Sequence, residues 1–155
     1  MILWNNKCRK EKENNETPVP KKVTGEKWKE VYRGEIPVDT YCAQLENGEE
    51  NGLVIKLEGH NNLIILDFGC VLAVRMIDEG ALLNDGIYDE NELNEFGENA
   101  YKNVIYEVEG GEFKKQMGEV SGDKEFDRLY THYLIVTLNY FIEIITFGEI
   151  SIKKI

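Results

Sequence analysis

Imidazole, thiol and serine hydroxyl are scarce in this chain: two histidines, three cysteines and two serines in 155 residues. His60 and His132 lie seventy-two residues apart, and Cys8, Cys42 and Cys70 form no Cys-x-x-Cys pair. A metal site needs several such groups converging at recognisable spacing, so none is predicted; His60 reads as a turn residue and His132 as a strand-edge residue. The run Asn84 to Asn91 has the look of a calcium loop, but its glycine stands third rather than sixth and the alternating ligands are missing. Phosphate-cradling glycine motifs do not occur, and no cofactor is predicted. Cys42 and Cys70 sit in strand-like surroundings, where a reduced cysteine acts as a small buried hydrophobe rather than a nucleophile. Glu143 would be a general acid if it stood in an apolar pocket. Strict alternation sets it opposite Ile142 and Ile144, which favours a solvated face. A pocket built from Asp67, Arg75 and His132 is the remaining way to assemble a small enzyme or ligand-binding site.

The densest chemistry is acidic. Between Met76 and Tyr101 stand Asp78, Glu79, Asp85, Asp89, Glu90, Glu92, Glu95 and Glu98, with no basic residue among them. Eight like charges in twenty-six residues repel one another, a cost that solubility alone does not require. Such a segment suits a patch that steers and clamps a basic protein surface. Tyr88, Phe96 and Tyr101 are interleaved with the acids and would supply apolar anchors, or core. The predicted partner-binding set is therefore Asp78, Glu79, Asp85, Tyr88, Asp89, Glu90, Glu92, Glu95, Phe96 and Glu98.

These residues must be positioned by strands for the most part. From Tyr41 onward apolar residues recur with the short period of strands. Tyr41 to Glu46 and Leu53 to Glu58 flank Asn47-Gly48-Glu49-Glu50-Asn51-Gly52, a hairpin with a longer loop. Leu63 to Phe68 and Val71 to Ile77 follow, separated by Gly69, which suits a bulge or bend. Val104 to Val108 is another strand, stopped by Gly110-Gly111. His132 to Thr137 and Tyr140 to Thr146 form the clearest hairpin, because β-branched residues crowd both halves. Helical spacing is confined to Asp89–Phe96 and to Gly25–Arg33, where Trp28, Val31 and Tyr32 fall at i, i+3 and i+4. The fold class is mainly β, with α+β as the neighbouring option: an antiparallel sandwich or strongly curved sheet of about six or seven strands with one or two short helices. Residues 1–25 read as a polar arm, and 26–155 as a single domain.

Net charge is -11, with 42% hydrophobic residues. The acid is central: residues 1–33 carry +4, 34–125 carry -15 and 126–155 are neutral. Phosphate backbones and anionic membranes repel such a chain, so a basic protein is the expected partner, and neither nucleic acid nor membrane is. Met1 to Trp4 turns polar at Asn5, too short for an export core, and an odd number of cysteines fits a reducing cytoplasm. The segments Asp67 to Gly80 and His132 to Ile145 resemble those of small acidic bacterial immunity proteins of toxin systems, over about a fifth of the chain. That resemblance implies a non-catalytic, single-domain inhibitor that binds a cognate toxin domain, often a basic nuclease. It carries over no active-site residue. A subunit that continues a sheet across a dimer is a third expectation.

Overall fold

The computed structural model describes residues 22–23, 25–83, 86–99 and 102–155. Asp85, Tyr101, Cys8 and nearly all of the predicted arm lie outside the described residues. Among those described are nine strands in two antiparallel sheets. The first holds five strands in the order β1 (Lys27–Glu30), β6 (Ile105–Glu109), β7 (Thr131–Val136), β8 (Tyr140–Thr146) and β5 (Ala73–Asp78). The second runs β2 (Cys42–Gly48), β3 (Gly52–Glu58), β4 (Leu63–Gly69) and β9 (Ser151–Lys154). Three helices, α1 (Glu90–Glu98), α2 (Glu112–Ser121) and α3 (Phe126–Leu129), and a 3-10 turn (Glu79–Leu83) complete the set.

The sheets face each other as a sandwich. Leu53, Ile55, Leu57, Ile64 and Leu66 of the four-stranded sheet meet Ile105, Tyr133, Ile135, Ile142 and Ile144 of the five-stranded sheet in one buried cluster. These residues alternate along their strands, which puts each set on a single face. The opposite face of the five-stranded sheet is covered as well. Tyr106, Val108, Leu134, Val136 and Phe141 pack beneath Leu93 and Phe96 of α1, and Ile145 packs beneath Phe113 of α2 and Phe126 of α3. The molecule therefore has three layers: sheet, sheet and helices.

All seven predicted strand segments form, and the hairpin loop closes with Gly48 opposite Gly52. Gly52 has a left-handed backbone (φ +67°) and lies against the Gly69 carbonyl and the Cys70 amide, where a Cβ would collide. The β3–β4 register slips between Leu53 and Val54, so that Gly69 and Asp67 face consecutive residues, the bulge expected near Gly69. Segment 25–33 is a correction. It forms strand β1, paired antiparallel to β6 with Trp28 opposite Val108, and not a helix. Its three-residue apolar set is too short to stabilise a helix, whereas the open edge of β6 offers backbone partners. Helix α2 has no strong signal, since Phe113 and Met117 are its inward-packing apolar residues and Gly118 interrupts it.

Candidate functional site

Glu143 sits at the centre of the middle layer and is 1% exposed. Alternation does set it opposite Ile142 and Ile144, but the helices cover that face, so the expected solvated position is an interior one. Register brings its partners together: Arg75 on β5 is directly opposite, and His132 on β7 is paired to Ile145, two residues along the same face. Arg75 donates from Nε and Nη2 to Glu143 Oε2, both at 2.5 Å. Tyr88 Oη donates to the same oxygen at 2.9 Å, and His132 Nε2 lies 2.9 Å from Oε1. A carboxylate only accepts, so His132 carries its proton on Nε2. Its Nδ1 is buried without a partner, against Gly111, where a Cβ would meet the imidazole. Burial, and then the Glu143 charge, raise the Tyr88 phenol far above its ordinary range. His132 is thus an interior residue of a central strand, not a strand-edge one.

A second set of carboxylates ties β1 to α1. Asp89 caps the helix, accepting from the Asn91 amide at 3.0 Å and from the Gly25 amide at 2.9 Å. Glu92 accepts from the Trp28 amide at 3.0 Å and from Lys27 Nζ at 3.1 Å. Glu26 accepts from Trp28 Nε1 at 2.9 Å and from the Asp89 amide at 3.1 Å. Burial raises the Glu26 carboxyl above its ordinary value, opposed by those two hydrogen bonds. The Trp28 amide of the edge strand is satisfied by a helix side chain, which helps to protect that edge.

The predicted partner-binding residues therefore separate. Tyr88, Asp89 and Glu92 are buried and engaged internally, so they are not surface contacts. Asp78, Glu79, Glu90, Glu95 and Glu98 are exposed, and Phe96 is half-buried. Glu90 is paired with Lys22 at 2.5 Å, and Lys27 reaches Glu92, so the basic N-terminal segment supplies countercharge that the local sequence lacks. Glu95 and Glu98 make no ion pair among the described residues. Beside them a cavity of about 120 Å³ opens between α1, β1 and β6, lined by Trp28, Glu30, Glu92, Glu95, Phe96, Asn99 and Tyr106. Trp28, Glu30 and Tyr106 were hidden from sequence reasoning because they join α1 only through the pairing of β1 with β6.

The other candidates do not assemble. Arg75 and His132 meet at Glu143, but Asp67 is exposed on the other sheet, its carboxylate bound to the Gly69 amide at 2.9 Å. The groove of about 400 Å³ that reaches His132 is lined by neither Arg75 nor Asp67. Cys42 and Cys70 are exposed rather than buried. Cys42 shares a groove with His60, whose Nδ1 is held 2.7 Å from Asp39, yet it makes no hydrogen bond to that imidazole. Among the described residues no cluster of three metal-ligating side chains occurs, and no helix is long and apolar enough to cross a membrane. No protein-family model, curated protein or solved structure matches the chain.

Proposed function

We propose that this chain is a non-catalytic, immunity-type protein that acts in the cytoplasm, binding and neutralising a basic toxin domain through an acidic face centred on α1. The observation that carries the reading is an aromatic-lined cavity with Glu95 in its wall, on a helix where Glu95 and Glu98 are exposed and make no ion pair among the described residues, while Glu92 is held inward and Glu90 is paired with Lys22. Charge without an apolar anchor gives steering and little affinity; the two side by side give both. The net charge of -11 draws a basic partner from a distance. Hydrogen bonds donated by the Gly25 and Trp28 amides to Asp89 and Glu92 hold α1 against the β1 segment before any partner arrives, so little ordering remains to be done on binding. The exposed thiols of Cys42 and Cys70 suit a reducing compartment. Resemblance to immunity proteins makes a nuclease the expected toxin class.

The test compares two baits in a host lysate at low salt, the wild-type chain and one with Glu90, Glu95 and Glu98 changed to Lys. Glu92 is left intact because it is structural. A single basic protein should be retained by the wild type in one-to-one ratio, lost with the triple variant, and stripped of its toxicity by the wild type alone. Association with that protein should slow at least tenfold at low salt and little at about 1 M, where the Debye length is about 3 Å. Equal capture by both baits would refute the acidic face.

A further inference from the structure

The cavity beside α1 has a lining with its own chemistry. Trp28, Phe96 and Tyr106 contribute three rings whose centroids lie 5.8 to 6.3 Å apart. Tyr106 is 5% exposed and forms the floor, while the exposed Glu30 and Glu95 stand at the rim. Among the described residues Glu95 has no ion-pair partner, and Glu30 has a 3.7 Å contact to the exposed Arg33. No cation among the described residues lines the space.

The Tyr106 hydroxyl adds a polar group to this lining. It belongs to a residue that is 5% exposed, makes no hydrogen bond among the described residues, and is open to the cavity rather than sealed in the interior. Burial first, then the charges of Glu30 and Glu95, push its pKa up to about 12. The phenol therefore keeps its proton, which it can donate to a carboxylate while its oxygen accepts a hydrogen bond from an incoming donor. A space of about 120 Å³ is well below the roughly 300 to 1,000 Å³ of sites for drug-sized ligands and fits the head of one side chain.

We infer that this cavity receives one arginine side chain of the basic partner, its guanidinium lying on the Trp28, Phe96 and Tyr106 rings and bonding to Glu30, Glu95 and the Tyr106 oxygen. This deepens the reading of an acidic binding face and rests on it. Arginine is preferred to lysine because a planar, weakly hydrated cation stacks on rings and offers several donors at fixed angles to separated acceptors. An ammonium group would satisfy the carboxylates but gain less from the rings.

The experiment titrates the full chain with N-acetyl-arginine methylamide and follows the Trp28 indole N–H by NMR, distinguished from Trp4 with a Trp4→Phe variant. A saturable shift in the range of about 1 to 10 mM is expected for one small cation. The neutral citrulline counterpart should bind at least tenfold more weakly, and the lysine counterpart several-fold more weakly. Tyr106→Phe should weaken arginine binding about tenfold, as for loss of a hydrogen bond to a charged group. Its melting temperature should stay within about 2 °C, because that hydroxyl holds nothing in the fold. No saturable shift, equal binding of citrulline or lysine, or wild-type binding by Tyr106→Phe would overturn the inference. If those occur while the Glu90/Glu95/Glu98 variant still loses its captured protein, the acidic face stands and the arginine pocket falls. Arginine binding with equal capture by both baits would overturn the partner assignment and keep the pocket's chemistry.

Discussion

Replacing Glu143 by leucine removes the acceptor on which three interior donors depend and leaves little void, so the cost is almost entirely polar. Tyr88 and His132 are 3% and 1% exposed and cannot turn to water. Each loses its partner, at about 1 to 3 kcal/mol per buried unsatisfied group. Arg75, with 29% of its side chain exposed, recovers part of its hydration. The sum, about 4 kcal/mol, agrees with the roughly 3 to 5 kcal/mol typical of breaking a buried ion pair. At about 2 to 4 °C per kcal/mol for a chain of this size, Glu143→Leu should melt about 8 to 16 °C below wild type. Glu143→Gln, which keeps an acceptor but not the charge, should lose about half as much. The assay is urea and thermal unfolding followed by circular dichroism, with Glu98→Gln as an exposed comparator expected within about 0.5 kcal/mol of wild type. Adding Arg75→Met to Glu143→Leu should cost less than the two changes separately, because the double variant leaves no stranded cation. A Glu143→Leu protein within 1 kcal/mol of wild type, or strict additivity with Arg75→Met, would refute the view that this carboxylate ties β5, β7 and the Tyr88 segment together.

Two further outcomes follow from the same geometry. Gly111→Ala should destabilise the chain by about 1 to 3 kcal/mol, because its methyl group would press on the His132 ring, which the Glu143 hydrogen bond holds in place; chemical denaturation would measure this, and a neutral result would mean that the ring is free to shift. Asp39 accepts from the His60 and Asn62 side chains and from the Thr40 and His60 amides, which holds its carboxyl well below the usual range, the His60 contact contributing most. A lowered folded pKa gives stability that is present above the unfolded value of about 3.9 and is lost as pH falls through the folded one. The stability difference between wild type and Asp39→Asn should therefore hold from pH 5 to 7 and narrow below about pH 4, and a difference independent of pH would exclude that carboxylate as the source.

The strands were legible because a sheet with one buried face imposes a period of two on its own residues. Leu53, Ile55 and Leu57 share a side in the sequence and in the core alike. Strand β1 and the lining of the arginine pocket were not legible, because Trp28, Tyr106 and Phe96 belong to segments far apart in the chain whose meeting depends on sheet order. Period cannot tell a helix-covered face from a wet one, and this hid the burial of Glu143. A sandwich strand with polar residues on its second face looks the same whether water or a third layer lies above it, until the partners of those polar residues are known.

By itself, the sequence determined a β-rich chain, its clearest hairpin, an acidic helix and a strongly negative net charge. These depend on local spacing and on summed charge, which folding does not alter. Only the tertiary structure decided which acids are surface and which are struts. Asp89 and Glu92 turned inward because the Gly25 and Trp28 amides needed acceptors where β1 meets α1, whereas Glu95 and Glu98, further along the chain, make no ion pair among the described residues and stay exposed.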